Sequence, residues 1–560
     1  MVSVDIPPGI FFFASRVPKL AIPPLVTYFS VTLVRSHAGI DVPTWLLCIF
    51  FLLSLPVTLT AHVQWRLFMD RRGAARLGAE LAPCVPSWIA FLRGGGRGSV
   101  SWYPASRLDD VFKEIGNTLN VRLFFQNRIM TTEPEYIKAV LATQFDEFEK
   151  GAETTRTFFP LLGNGVFAAD GDMWKFHRAM TRPYFTKDRI GHFDVFDRHA
   201  ADAIAQMKGR FRPRDSPHAL HFDSATEFLL GHDVRSLSDG LPYPSDHPSQ
   251  PRSTQAGPQP VTSKFLRSFA AAQDVMITRI RFGDLWPLLS FRKDKIKPHM
   301  KVLHEFVEPI VASAIQGKKE LEASGIKEKE DDTLLQNLVN STEGTSHSQT
   351  STCSRAVHQT ASLLTFTIYM LSEHPKVFSR LREEIMTRDF REMKYLRAVL
   401  NETLRLYPPV CVCSMRSKGE TVLNPLVPGG KPLYIAPDTR ISYSVLSMHR
   451  RTDLWGPDAL EFDPDRFLDD RLQKYLIPNP FIFLPFNAGP RICLGQQFAY
   501  HESSFFLVRL LQAFSSIALA PDAQPLEART TGRKIRPKTH LTLYVQGGLW
   551  TRMGSDPQKH

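Results

Sequence analysis

The chain has 560 residues, 43% hydrophobic and 22% charged, with 32 Gly and 41 Pro, a composition that supports a sizeable core and excludes disorder, a collagen repeat and a small disulfide scaffold. Its six cysteines (Cys48, Cys84, Cys353, Cys411, Cys413 and Cys493) are scattered, with neither a disulfide framework nor zinc spacing. The formal charge of +12 is spread along the chain without a basic stripe and interleaved aromatics, so no nucleic-acid partner is expected and the excess reads as a solvated basic surface suited to acidic proteins or anionic lipid.

Residues 42–63 (VPTWLLCIFFLLSLPVTLTAHV) contain no Asp, Glu, Lys or Arg, and about 20 apolar residues cross a bilayer core. A transmembrane helix is predicted there, within a membrane-associated region 1–65. Residues 20–34 are shorter, broken by Pro23 and Pro24, and flanked by Lys19 and Arg35; they predict an interfacial or re-entrant segment. The long apolar run lies far from the first residue and no small-residue cleavage site follows it, so a retained anchor is expected rather than a signal peptide. Arg66, Arg71, Arg72 and Arg76 after the span place the remainder on the cytosolic side, as a single-pass protein of the endoplasmic reticulum in a eukaryote.

From residue 66 to 560 apolar residues recur mostly at helical spacing with few clean strand alternations, predicting one mainly α domain with small β-sheets. In DGDMWKFHRAMTRPYF, Trp174 and Arg178 stand one helical turn apart. Residues 236–263, rich in Pro, Ser and Gly, predict a surface loop. Residues 341–359 are rich in Ser and Thr and lack an apolar stripe, yet residues 361–378 form a plain helix. Glu402 and Arg405 then share a helix face at i and i+3, and FDPDRF supplies Arg466.

Near the carboxy end, FNAGPRICLGQQFAYHE sets Phe486, Gly489, Arg491, Cys493 and Gly495 in the spacing F-x-x-G-x-R-x-C-x-G before a helical run. A lone Cys beside glycines is usually a buried structural residue, but five fixed positions are far more specific. If Cys493 binds haem iron, each residue type has a task. The glycines permit a tight turn and close approach of backbone to a flat cofactor, and Gly489 frees nearby N–H groups to bond the sulfur. The helix start favours a thiolate, Arg491 can pair with a propionate, and Phe486 can cover the proximal face.

This stretch resembles the haem-binding signature of the cytochrome P-450 family of haem-thiolate monooxygenases, and the likeness extends over most of residues 66–550. It implies a helical prism with small sheets, haem b with Cys493 as axial ligand of the iron, and a buried structural triad of Glu402, Arg405 and Arg466 that locks the meander around the Cys loop. It also implies that Trp174 and Arg178 donate to a propionate, with His177 a surface or propionate-neighbouring residue and Arg416 near another propionate arginine, its register displaced by one. Thiolate-ligated iron favours O–O cleavage and insertion of one oxygen atom from O2 into a C–H bond. No dinucleotide or flavin fingerprint is present, so electrons are expected from NADPH through a separate flavoprotein reductase docking on the basic face around Cys493.

The phrase LLGNGVFAADG…W…HRAM, the doubled amino-terminal hydrophobic region and the closing THLTLYVQGGLW are similar to fungal membrane-bound hydroxylases of alkanes and fatty acids. That implies a lipophilic substrate, with long alkyl chains, fatty acids or xenobiotics hydroxylated. Phe158, Phe159, Leu161, Leu162 and Phe167 stand where the family builds the roof of its pocket, although any of these apolar residues can equally be core.

One expected motif is missing. Family members deliver protons to dioxygen from an acid–alcohol pair written [AG]-G-x-[DE]-T-[TS]. Aligning Thr360 with the second threonine puts His358 at the acid and Gln359 at the catalytic threonine, with Arg355 and Ala356 in place of Ala-Gly. A shifted reading frame over residues 351–357 can encode an Ala-Gly segment, so residues 341–359 read as a frame or splice error, and the short stretch between Met386 and Arg391 is a second such candidate. Taken as written, Gln359 cannot replace a hydroxyl. Three functions therefore stay open: a monooxygenase, a haem-thiolate protein that rearranges peroxides, and a silent haem protein with impaired O2 activation.

Overall fold

The computed structural model of the chain describes residues 6–39, 42–86, 105–123, 126–185, 193–208, 227, 261–324, 335, 350–530 and 532–554. The expected loop at 236–263 lies outside these residues except for its last three, and so does the stretch 341–349.

Two long helices open the chain, α1 (Pro8–Ala38) and α2 (Thr44–Arg76). Both are long and apolar enough to cross a membrane. Their apolar side chains face outward, with Leu52 77% and Phe29 66% exposed, an arrangement that lipid rather than water would cover. The break expected at Pro23 and Pro24 is not there: Pro18, Pro23 and Pro24 all lie inside continuous helix. In an apolar medium the backbone has no other partner, so a helix carries through a proline that would end it in water. Helix α2 also runs unbroken across the expected boundary at residue 65. Its last turns dock on the domain, where the Asn127 amide donates to Asp70 at 2.9 Å and a Cβ on Gly73 would strike the Tyr434 ring hydroxyl.

The remaining major helices are α3 (Ala152–Leu162), α4 (Gly171–Thr181), α5 (Phe193–Lys208), α6 (Val261–Phe282), α7 (Lys297–Ser324), α8 (Thr350–Glu373), α9 (Pro375–Thr387), α10 (Lys394–Leu406) and α11 (Gln496–Ala513). One six-stranded sheet is built from β1 (Cys84–Pro86), β2 (Thr118–Leu123), β3 (Gln126–Thr131), β4 (Phe148–Glu149), β5 (Val412–Ser417) and, after the small β6–β7 ladder (Thr421–Leu423 with Leu433–Ile435), β8 (Arg440–Ser444). Its order is β1-β2-β3-β8-β5-β4, with β3 and β8 parallel in the register Arg128↔Arg440. Two further pairs, β9 (Ser516–Leu519) with β12 (Thr551–Gly554) and β10 (Pro537–Thr539) with β11 (Leu543–Val545), complete the small sheets. The fold is the mainly helical one with small sheets that the periodicity predicts.

Helix α8 lies at the centre. From Thr360 on it is buried on every side, Ala361, Leu363, Leu364, Phe366 and Ile368 among its apolar residues. Such a helix needs each hydroxyl satisfied. Thr365 and Thr367 donate to the carbonyls of Ala361 and Leu363 at 2.8 Å, and Ser362 donates to the Leu543 carbonyl at 2.6 Å. Around it α9, α10 and α11 supply the largest apolar cluster, including Leu381, Leu400, Leu404, Phe506 and Leu507.

Candidate haem site

The segment before α11 folds back on itself. Asn487 has a left-handed φ of +63°, held by its backbone N–H to the Leu484 carbonyl at 3.2 Å and by the Tyr443 hydroxyl donating to its side-chain oxygen at 3.1 Å. Gly489 repeats the left-handed turn at φ +63°. A Cβ there would overlap the carbonyl oxygen of Leu141, so the close approach that glycine permits is to the neighbouring backbone at Ala139–Thr143. The loop closes with Ile492 N–H to the Gly489 carbonyl (3.1 Å) and Cys493 N–H to the Phe486 carbonyl (2.9 Å). Gly495 has an ordinary φ of −82°, and a Cβ on it would make only van der Waals contact with Phe185 and the Cys493 sulfur. Phe486 packs against Tyr500 with ring centroids 5.2 Å apart.

Half-buried Cys493 therefore stands just before the first turn of α11, an 18-residue helix whose terminal N–H groups favour a thiolate over a thiol. Arg178 on α4 reaches the same loop, its Nη2 donating to the Ile492 carbonyl at 3.0 Å. Burial pulls the Arg178 guanidinium below its usual pKa, and the charge of Cys493 opposes that shift. Trp174, one turn earlier, is buried, and the Arg491 guanidinium sits 5.2 Å from its ring centroid and 5.2 Å from that of Phe145. Arg491 Nη2 donates to Asp170 at 3.0 Å. Its Nε and Nη1 are buried and have no hydrogen-bond partner among the described residues.

Asp170 answers the charge of this buried guanidinium, but its orphaned donors still call for an acceptor. A haem would supply one: Cys493 to hold its iron, and Trp174, Arg178 and Arg491 to meet its propionates. The residues present fit that group.

Other expected residues are placed differently. His177 is buried rather than on the surface, which pushes its imidazole pKa down. Arg416 on β5 is paired with Glu153 and Asp438, so carboxylates already hold its charge; Met415, before it on the strand, is buried in the apolar core. Leu161 and Leu162 are core, packed with Phe265, Phe269 and Met276 of α6, and Phe158 and Phe167 lie against the same cluster. Phe159 is 49% exposed and instead lines a surface depression of about 490 Å³ with Glu149, Ala152, Thr155, Arg156 and Asp170. On α8, Gln359 is half-buried and Thr360 buried. The backbone from Thr350 to Gln359 is helical and continuous with the rest of α8.

Glu402, Arg405 and Arg466 meet, all essentially inaccessible. Arg405 makes a fork to Glu402 at 2.7 and 2.8 Å and reaches the carbonyls of His449, Ala459 and Glu461. Arg466 lies 3.5 Å from Glu402 and bonds more closely to Asp458 and the Trp455 carbonyl. A further residue joins this knot to the Cys loop. Fully buried His449 donates from Nδ1 to the Arg405 carbonyl at 3.1 Å and accepts the Leu484 N–H on Nε2 at 2.9 Å; Leu484 precedes Phe486 by two residues. Only the neutral imidazole can fill both roles, and burial lowers its pKa to about 3.

Comparison with known proteins agrees with this geometry. The model of the cytochrome P-450 family matches residues 86–541. Cytochrome P-450 monooxygenase himC of Aspergillus japonicus is 33% identical over 467 residues, covering 80% of this chain and 77% of that protein. Cytochrome P-450 52A6 of Candida tropicalis is 32% identical over 500 residues, 83% of this chain and 88% of the relative. Cytochrome P-450 52A3-A of Candida maltosa is 34% identical over 425 residues, 71% and 77%. The peroxide-rearranging and silent readings gain no support from these likenesses.

Proposed function

The chain belongs to the cytochrome P-450 family, and from that premise we propose that it is a membrane-bound hydroxylase of long alkyl chains, fatty acids or similar lipophilic compounds. Membership makes it a monooxygenase with a haem-thiolate centre. Haem held by Cys493 supplies dioxygen activation, from which one oxygen atom enters a C–H bond. The observation that carries the reading is the convergence of Cys493, Arg178, Trp174 and the unpartnered donors of Arg491 on one loop.

The substrate class is supported by the two exposed apolar helices α1 and α2, which bring the domain to the bilayer where such compounds partition. The arginines after the apolar part of α2 favour the cytosolic side of the endoplasmic reticulum. Reducing equivalents come from NADPH through a separate flavoprotein reductase. The reductase is expected to dock on the side of the domain that carries the Cys493 loop, which Arg178 on α4 contacts through Ile492. Gln359, at the position of the proton-relay threonine, offers an amide in place of a hydroxyl and makes reduction of dioxygen poorly coupled to product. The messenger sequence over residues 341–359 decides whether that glutamine is natural.

The test is incubation of membranes carrying the protein and a reductase with NADPH, a long-chain fatty acid and isotopically labelled dioxygen. Label in a hydroxylated product, even at low yield per NADPH consumed, supports the reading; a hydroxylated product without label, or no hydroxylated product at all, overturns it.

A further inference from the structure

Asp170 closes the loop between α3 and α4 and stands at the N-terminal boundary of α4. One of its carboxylate oxygens accepts both the Lys150 N–H and Arg491 Nη2, each at 3.0 Å, and the other accepts the Gly151 N–H at 2.9 Å. The connecting loop is clamped by its neighbours: Lys150 Nζ donates to the carbonyls of Val166 and Ala169 at 2.8 Å, and the Thr155 hydroxyl to that of Ala168 at 2.7 Å. The carboxylate is therefore fixed from two backbone donors before it meets Arg491. The guanidinium is in turn confined between the rings of Trp174 and Phe145. Asp170 engages one of its nitrogens and leaves Nε and Nη1 buried and unpartnered among the described residues.

We propose that Asp170 is the positioning residue that presents Arg491 to a haem propionate, an inference that rests on the haem reading of the Cys493 loop. It acts through three effects. It selects which guanidinium nitrogens stay free, it stops the side chain from swinging out to solvent, and it places a negative charge that offsets part of the Arg491 charge near the iron. Because the same carboxylate holds the first residues before α3, the helix of the apolar cluster and the propionate-facing arginine share one support.

The experiment measures, on the haem-loaded full chain, the rate of haem loss to a scavenging apoprotein and the iron reduction potential. The proteins are wild type, Asp170→Asn, Arg491→Gln and the double variant. Each single change is expected to speed haem loss on the order of tenfold, the loss of one charge-assisted hydrogen bond. The double variant should lose haem no faster than Arg491→Gln alone, since Asp170 acts through that residue. Removing the carboxylate should also shift the potential positive, whereas Asp170→Glu, which keeps the charge, should not. Asp170→Ser replaces the Asn variant if the latter does not fold. Wild-type retention in Asp170→Asn, or multiplicative effects in the double variant, overturns the positioning role. Wild-type retention in Arg491→Gln overturns the propionate reading itself, independently of Asp170.

Discussion

His449 makes acid lability a property of the Cys loop. Its ring is fully buried between α10 and Leu484, and burial, with Arg405 and Arg450 nearby, lowers its pKa from 6.5 to about 3. A folded-state value below the unfolded one means that the stability contribution is complete above pH 6.5 and is lost as pH falls from 6.5 towards 3. At 1.36 kcal/mol per pH unit, acidification to near pH 5 removes about 2 kcal/mol. His449→Gln keeps a donor and an acceptor but does not titrate. Burial also holds His177 and His374 low, but both are present in either protein and cancel in the comparison. Urea unfolding, followed through the thiolate-haem spectrum, should show the wild type's advantage over His449→Gln shrinking by about 2 kcal/mol between neutral pH and near pH 5. Parallel pH profiles for the two proteins would refute the tautomer-locked bridge.

Arg405→Met leaves the inaccessible Glu402 carboxylate with only the Asp463 N–H and the more distant Arg466 and should cost about 3–5 kcal/mol with loss of haem binding, whereas adding Glu402→Leu should recover much of it; thermal unfolding of the single and double variants distinguishes the two. Gly489→Ala imposes a left-handed φ on a side-chain residue, roughly 1–2 kcal/mol, plus overlap with the Leu141 carbonyl, so the thiolate spectrum should disappear; a normal spectrum would contradict the turn geometry. Gln359→Thr should raise the fraction of consumed NADPH recovered as product. Unchanged coupling would remove Gln359 from the proton-relay position. Deleting residues 1–65 should release the domain from membranes into the soluble fraction, as sedimentation after alkaline washing of the full chain will check by contrast.

The parts of the site that rest on short-range spacing were legible in the sequence. Glu402 and Arg405 are one turn apart on the same helix, so their pairing follows from helical geometry, and the Cys493 loop is set by turns within ten residues. Asp170 and His449 escaped because their partners are far away in sequence, at Arg491 and at Leu484; the only local hint was the Asp-Gly before the Trp174 helix. The same limit explains Arg416. Sequence register brought it near the expected arginine position, but Glu153 on α3, remote in sequence, determines where its charge goes. For Phe159 the helix periodicity decides: Phe158 and Leu162 turn towards α6 while Phe159 turns out. Proline in α1 misled for a different reason, since rules for helices in water do not apply where the backbone lacks a solvent partner.

Everything proposed for the site depends on Cys493 holding haem iron as a thiolate. The most direct test of that ligation is the carbon monoxide spectrum of the reduced, haem-loaded chain, compared with that of Cys493→Ser. The wild type should show the strongly red-shifted Soret band of thiolate ligation, and the variant should lack it. A wild-type band of the imidazole-ligated kind, or a red-shifted band that survives in Cys493→Ser, would contradict it.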